Sequence, residues 1–353
     1  MGTAAAGSMK SDRTALLVVF IALLGLTVAL VAFAFPAGVY NVFSGRLSSN
    51  FTASTIIQPY FWIGPAIQFA PFWVSAGALF AVLIAVYVTF FAYSLRQREG
   101  PLEAISKSLK EGVGSLTSSP FLVIIISIGF LNFTASIIDD LISATGTPIG
   151  SLSGDPLELF VGFTYSPLVE ELGFRVLLIG LVALILSLSR PWKTALSTLW
   201  RPSKAIEGLA VGSGASIIIW AATGFSAVTF GACHVVCGGS SWDIGKLPEA
   251  AYGGLVLGYL YVKYGFHVAV LAHWGVDYFG SVYTFLGQAA YGIPWNSNTT
   301  EFTGQYLVDV DMLFLFGLAC FLLVAYLTVR KLVRWRSGEL SSDFNSLSDG
   351  AGV

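Results

Sequence analysis

Six ionisable residues of this sequence fall within or at the end of long apolar stretches, where charges are costly. They are Glu170, Glu171, Arg175, His234, His273 and Asp277. A charged side chain at the centre of a bilayer costs at least about 2.5–3.5 kcal/mol on insertion scales. Several such groups together predict a polar, partly wet cavity enclosed by helices.

The spacing of these residues indicates how they meet. Glu171 and Arg175 are four residues apart, so they lie on one helix face and can pair. Glu170 is rotated by about 100° from Glu171, so it can face the cavity while Arg175 holds its neighbour. His273 and Asp277 also share a helix face, and a pair at that spacing can bind a metal or a water jointly.

The residue types favour hydrolysis. Two imidazoles and one or two carboxylates in a wet pocket can polarise a water molecule, and Glu170 could take its proton as a general base. Alternatively, a divalent metal such as zinc could activate the water. Its candidate ligands are Glu170, His234, His273 and Asp277. Cys233 adjoins His234 but does not face it on a helix, and Cys237 and Cys320 are typical of apolar packing.

The composition points to a membrane protein. The 353 residues contain 18 Lys and Arg and 20 Asp and Glu, 11% in all, whereas globular domains carry about 25%. Hydrophobic residues make up 55%, which excludes a disordered chain and a typical soluble enzyme. A net charge of -2 argues against nucleic-acid binding. Three Cys are too few for a disulfide framework.

Eight apolar runs approach or exceed the roughly 20 residues that a helix needs to cross a bilayer. The sequence therefore predicts an all-α integral membrane protein with eight transmembrane helices around a polar cavity. The predicted spans are 14–35, 71–94, 120–138, 158–187, 206–233, 249–264, 266–286 and 308–329.

The distribution of basic residues predicts the orientation. With alternating passes, fifteen of the 18 Lys and Arg fall on the side of the N-terminus, and only Arg46 and Lys246 on the opposite side. The positive-inside rule then places both termini in the cytoplasm. The short loops favour the cell membrane of a prokaryote. The bilayer is the first predicted partner.

The chain divides into five predicted parts. Residues 1–13 form a cytoplasmic tail, and 14–119 hold two spans, an external loop and a cytoplasmic linker. Residues 120–290 form the core that carries the site. Residues 291–336 supply an external loop and the last span, and the Ser-, Gly- and Asp-rich segment 337–353 is expected to be disordered.

Three short motifs resemble those of the CPBP family of intramembrane proteases. Residues 170–175 read EELGFR and match EExxxR, 230–234 read FGACH and match FxxxH, and 273–277 read HWGVD and match the third motif, which is HxxxN or HxxxD. The family includes type II CAAX prenyl endopeptidases and bacteriocin-immunity proteins. The resemblance covers about residues 158–286.

The resemblance implies a helical core with a conical cavity and a role for each motif residue. Glu170 would be the general base, and His234 would help to hold the nucleophilic water. His273 and Asp277 would polarise the scissile carbonyl and stabilise the oxyanion, or bind a metal. The supporting pair would be Glu171 and Arg175. The implied substrates are membrane-associated or lipidated proteins, with CAAX-type processing of prenylated C-termini as one form.

Asp277 departs from the Asn found in the prenyl-protease branch. An ionised Asp only accepts hydrogen bonds, whereas Asn can donate one to an oxyanion. The departure weakens the oxyanion role and mildly favours a metal site.

Three functions therefore stay open. The leading hypothesis is an intramembrane endopeptidase. A non-catalytic scaffold or bacteriocin-immunity factor would keep the cavity without the activity. A proton-coupled transporter would use buried Glu and His as a proton relay.

Overall fold

A computed structural model describes residues 2–63, 67–97, 99–209, 212–237, 242–295 and 313–336. The predicted disorder of 337–353 lies outside these residues. The α-helices are α1 (Gly2–Phe43), α2 (Ala76–Arg96), α3 (Pro101–Glu111), α4 (Pro120–Ala144), α5 (Pro156–Glu170), α6 (Leu181–Leu186), α7 (Trp192–Trp200), α8 (Ser203–Ile206), α9 (Gly214–Val236), α10 (Lys246–Tyr264), α11 (Phe266–Trp274), α12 (Gly280–Tyr291) and α13 (Leu313–Arg336).

Five helices in the described part of the chain are long and apolar enough to cross a membrane. They cover Leu16–Phe43, Ala76–Arg96, Pro120–Ala144, Gly214–Val236 and Phe314–Val333. This confirms an all-α membrane protein, and the five correspond to the first, second, third, fifth and eighth predicted spans.

The other three predicted spans are also helical but are interrupted or shorter. A π-helical segment, Glu171–Gly180, joins α5 to α6, and a second, Gly275–Phe279, joins α11 to α12. The sixth predicted span is α10, with 19 residues. Single π turns inside helices are frequent at functional sites, and both π segments here carry candidate site residues.

An extended hairpin connects α1 to α2. Its strands are β1 (Ile56–Ile57), β2 (Phe61–Ile63), β3 (Ile67–Phe69) and β4 (Val74–Ser75). β1 pairs with β4 and β2 with β3, both antiparallel. Trp73 and Ile56 are exposed, as expected for a segment at a membrane interface, where aromatic residues concentrate. The hairpin packs against α5 and the first π segment.

Glycines bring α9 and α10 into close contact beside the site. A Cβ atom on Gly231 would lie 2.5 Å from the carbonyl oxygen of Leu247, and one on Gly258 would lie 2.7 Å from the Thr223 side chain. Small residues allow such close approach between helices in membranes. The Gly254–Gly258 spacing in the sequence is thus a packing feature.

Replacing Gly231 with Ala is expected to destabilise the protein by about 1–3 kcal/mol, because overpacking forces the backbones of α9 and α10 apart. The measurement is the free energy of unfolding in a denaturing-detergent titration. Gly224→Ala is the matched control, since a Cβ there meets nothing within 4 Å. Equal stability of the two variants would contradict the prediction.

A disulfide joins Cys233 and Cys237 at the end of α9, with Cα atoms 4.8 Å apart. The sequence predicts only apolar packing for Cys237, so the bond is a correction. Its physical reason is that residues four apart lie one above the other on a helix face. Cys320 is buried and free, as its apolar surroundings predict.

Candidate active site

Glu171 is a fully buried carboxylate held between two partners. Its Oε2 lies 3.2 Å from Nε of Arg175, and its Oε1 lies 2.9 Å from Nδ1 of His273. The side chains of Glu171 and Arg175 are both 0% exposed. The predicted Glu171–Arg175 pair is therefore present, and it also carries His273.

This contact orients the His273 ring. A carboxylate only accepts hydrogen bonds, so Nδ1–H of His273 donates to Glu171. The other ring nitrogen, Nε2, then faces two further carboxylates, 3.5 Å from Asp277 Oδ2 and 3.7 Å from Glu170 Oε2. The side chains of Glu170 and Asp277 are about one-fifth exposed, at 20% and 21%, whereas Glu171 is sealed.

Arg175 is fixed on its other sides as well. Its Nη2 donates to the carbonyl oxygen of Gly254 at 3.4 Å, and its guanidinium lies 4.3 Å from the centre of the Phe230 ring. A cation over an aromatic face is attracted by the ring quadrupole. Arg175 therefore balances the negative charge of Glu171 on the side away from the cavity, and it does not line the cavity.

Phe230 connects the three sequence motifs. Its ring makes edge contacts with His234 and His273, at centroid distances of 4.7 and 5.8 Å, besides its contact with Arg175. The sequence assigns no role to this residue beyond its place in the FxxxH pattern. The structure explains the pattern, since one ring holds both imidazoles in place.

His234 is oriented by its own helix. Its Nδ1 lies 2.9 Å from the carbonyl oxygen of Phe230, which can only accept, so Nδ1–H donates there. In the neutral ring Nε2 is then the acceptor nitrogen. His234 can thus accept a hydrogen bond from a water in the cavity.

Glu170, His234, His273 and Asp277 line one cavity of about 440 Å³. Glu170 and His273 lie at the same depth in the protein, since the Glu170 carboxylate is 3.7 Å from Nε2 of His273. Other cavity-lining residues are Gln58, Tyr60, Glu158, Tyr165, Trp242 and Lys246.

Residues 153–279 match the family model described as Type II CAAX prenyl endopeptidase Rce1-like. The 127-residue match contains all six candidate residues and all three motifs, within a chain of 353 residues. This segment carries the three CPBP motifs, and the match supports the family resemblance that they predict. No curated protein and no solved structure matches the chain.

The hairpin lies outside the CPBP segment yet forms part of the cavity wall. Phe51, Ile57, Gln58, Pro59 and Tyr60 line the cavity. The sequence gives no signal for this contact beyond the aromatic content of the loop, because it depends on how the loop folds back over α5.

Lys246 is a cavity residue that sequence reasoning missed. The sequence marks it only as one of two basic residues on the outer side. In the structure its Nζ lies 2.6 Å from Glu249 Oε2 and 4.4 Å from the centre of the Trp242 ring. The three-residue spacing of Lys246 and Glu249 on α10 is the signal that predicts the ion pair.

The metal prediction can be compared with the geometry of the four candidate ligands. His nitrogens and carboxylate oxygens are donors that zinc accepts. At 3.5 and 3.7 Å from His273 Nε2, the two carboxylate oxygens are spaced to share one small ligand. Within the described ranges, however, no three side chains of His, Cys, Asp or Glu lie close enough together to hold a metal ion. The metal stays a prediction, with the four named residues as its holders.

Proposed function

We propose that this protein is an intramembrane endopeptidase that hydrolyses peptide bonds with a water activated by Glu170. The observation that carries the proposal is the convergence of Glu170 and Asp277 on Nε2 of His273 inside a cavity of a CAAX-type protease domain. Intramembrane ionisable groups that face a shared cavity are functional by default.

In the proposed reaction, the oxygen of the water attacks the scissile carbonyl carbon while Glu170 takes a proton from that water. The carbonyl electron pair moves to oxygen. The C–N bond then breaks, and Glu170 returns the proton to the leaving amine. His234 holds the water through Nε2.

His273 is the proposed oxyanion donor. Protonated, it donates from Nδ1–H to Glu171 and from Nε2–H to the developing oxyanion. Asp277 only accepts hydrogen bonds, and beside Nε2 it supports the positive charge of the ring. An Asp can therefore occupy this position without acting as a donor, so the Asn-to-Asp departure is compatible with hydrolysis.

We further propose eight passes with both termini in the cytoplasm, so that the cavity opens on the outer face. Among the described side chains, Arg46 and Lys246 are the only Lys or Arg at the end of the helical bundle where the cavity lies. The basic residues at the other end are Arg96, Lys107, Lys110, Arg190, Lys193, Arg201, Lys204, Lys263, Arg330 and Lys331. The Cys233–Cys237 disulfide also lies at the cavity end, and disulfides persist in oxidising compartments.

Cysteine labelling tests this orientation. In a Cys320→Ala background, Ser54→Cys in the hairpin loop is expected to react with an impermeant maleimide on intact cells at least about tenfold more than Glu111→Cys at the end of α3. Both native residues are exposed. If only Glu111→Cys is labelled, the orientation is the reverse of the one proposed. The cavity would then open to the cytoplasm, where prenylated proteins could reach it.

A cavity that opens on the outer face of the membrane limits which substrates can reach it. Cytoplasmic prenylated C-termini would not reach it, so the proposed substrates are membrane-associated or lipidated peptides that present their scissile bond at the outer face. CAAX-type processing of prenylated proteins is the alternative that a cytoplasmic mouth would favour.

The direct test uses the full chain in liposomes with lipidated and unmodified peptides, read out by mass spectrometry. We expect two fragments whose masses sum to the peptide plus one water. Loss of these fragments with a chelator and recovery with zinc would indicate a metal. Fragments indifferent to the chelator would indicate a water activated by glutamate alone.

The absence of fragments would contradict the proposal. Peptide binding without cleavage would then favour the scaffold or immunity function. Flux across the liposome membrane that depends on a proton gradient would favour the transporter.

A further inference from the structure

The Cys233–Cys237 disulfide closes the last turn of α9 around a candidate site residue. His234 directly follows Cys233, so it lies within the turn that the bond spans. The same two cysteines are joined by a backbone hydrogen bond, from the N–H of Cys237 to the carbonyl oxygen of Cys233 at 3.0 Å. The turn that carries His234 is therefore fastened covalently as well as by the helix.

The disulfide restrains His234 on the side opposite to its contacts with Phe230. The ring donates from Nδ1–H to the Phe230 carbonyl oxygen and lies edge-on to the Phe230 ring. Both contacts come from the preceding turn of the helix. On the other side α9 ends at Val236, and helix ends fray. The bond to Cys237 restricts the backbone at this end.

Small thiols have access to the disulfide. Exchange requires a thiolate to reach one of the two sulfur atoms. Cys233 lines the main cavity, and Cys237 is half-buried at the C-terminal end of α9. The third cysteine of the chain, Cys320, is 0% exposed. Thiol chemistry on this protein therefore falls on the pair beside His234.

We propose that the Cys233–Cys237 disulfide is a reversible redox site that controls peptide cleavage through the position of His234. The inference rests on the proposed endopeptidase function, in which His234 holds the attacking water. The chemical partner is a low-molecular-weight thiol on the outer side of the membrane, where the proposed orientation places the bond.

The exchange takes place in two balanced steps. A thiolate of the partner attacks the Cys237 sulfur, forms a mixed disulfide and releases the Cys233 thiolate, which takes up a proton. A second partner thiolate attacks the partner sulfur of the mixed disulfide and releases Cys237, which is protonated in turn. Two partner thiols are oxidised to one disulfide, their two protons pass to the cysteines, and the protein disulfide is reduced to two thiols.

Reduction lowers activity because it frees the end of the helix. A cross-link restricts the conformations of the segment that it closes, so the reduced turn frays more often and carries His234 away from Phe230. The attacking water then loses the acceptor that orients it. A misplacement of about 1 Å can cost about 100-fold in rate.

The first experiment measures peptide cleavage by the full chain with Cys320→Ala in liposomes, in buffers of reduced and oxidised glutathione. The fraction of intact disulfide is read by alkylation and mass spectrometry. We expect the rate to follow this fraction, to be about 10- to 100-fold lower for the reduced protein, and to recover on reoxidation. Equal rates of the oxidised and reduced protein would overturn the proposal while the endopeptidase function stands.

Two variants show whether the effect passes through the bond and through His234. Cys233→Ala with Cys237→Ala should cleave as slowly as the reduced protein and should not respond to glutathione. In His234→Ala the residual rate should be the same with the bond formed or reduced, because the group that the bond positions is absent. A response to glutathione in the double variant, or an undiminished redox effect in His234→Ala, would contradict the proposal.

A second measurement does not depend on cleavage. Amide hydrogen exchange reports the opening of a local segment. The amides of 235–237 are expected to exchange at least about tenfold faster after reduction, whereas those in the middle of α4 are unchanged. Equal exchange at 235–237 would overturn the proposal. If no peptide is cleaved, the endopeptidase proposal fails, and this comparison still decides whether the disulfide holds the turn of His234.

Discussion

Replacing Glu170 with Gln is expected to lower kcat for peptide hydrolysis by about 100- to 10,000-fold, the usual contribution of a general base. The amide keeps the size of the side chain but cannot take the proton from the attacking water. Glu170 approaches His273 Nε2 to 3.7 Å from the cavity side, and no other contact of its carboxylate with a basic side chain within 4 Å appears among the described residues. The substitution should therefore leave the fold intact. The measurement is the initial rate of fragment formation at saturating peptide.

The control for this prediction is Glu158→Gln. Glu158 lies on the same helix, α5, twelve residues before Glu170, and lines the same cavity, but its side chain is exposed. Its loss removes one negative charge from the cavity wall and should change the rate by no more than a few-fold. If Glu170→Gln and Glu158→Gln have equal rates, Glu170 is not the base.

The sequence predicts the motif residues well because their spacing is a local property of helices. Pairing of Glu171 with Arg175 follows from one turn of helix, and the cost of burying charges in a membrane brings the remaining groups together. Both arguments hold without knowledge of how the helices pack. The predicted cavity residues Glu170, His234 and His273 accordingly line one cavity.

Contacts between helices could not be predicted in the same way. The hydrogen bond from His273 to Glu171 spans 102 positions in sequence, and the edge contact of Phe230 with His273 spans 43. Both depend on the close approach of neighbouring helices. The sequence places Lys246 in an outer loop, because hydropathy alone does not show that α10 begins beside the cavity.

The first helix interruption also has a cause that a hydropathy pattern does not register. Pro167 has no N–H to donate within α5. Directly after Glu170 the backbone hydrogen bonds change from the α-helical to the π-helical pattern. The division of Glu170 to the cavity and Glu171 to the core follows already from their rotation on a regular helix. A span predicted as one uniform helix does not predict the π segment that begins at Glu171.

Replacing Arg175 with Met is expected to destabilise the protein by about 3–5 kcal/mol, because removing one partner of a buried ion pair leaves an uncompensated charge. Glu171 and Arg175 are both 0% exposed, so water cannot take the place of the guanidinium. Met keeps an unbranched apolar side chain in place of the aliphatic stem, while the guanidinium that lies over Phe230 is lost. The measurement is the free energy of unfolding in a denaturing-detergent titration. Arg96→Met, at an exposed helix end, should change it by no more than about 0.5 kcal/mol.

The double variant Glu171→Gln with Arg175→Met separates the charge effect from lost packing. With the carboxylate neutralised, the buried site no longer holds an unpaired charge, so the double variant should be more stable than Arg175→Met alone. Residues in one ion-pair network couple by about 0.5–3 kcal/mol in such a cycle. Additive effects of the two substitutions would contradict the role of Arg175 as the counter-charge that keeps Glu171 ionised behind His273.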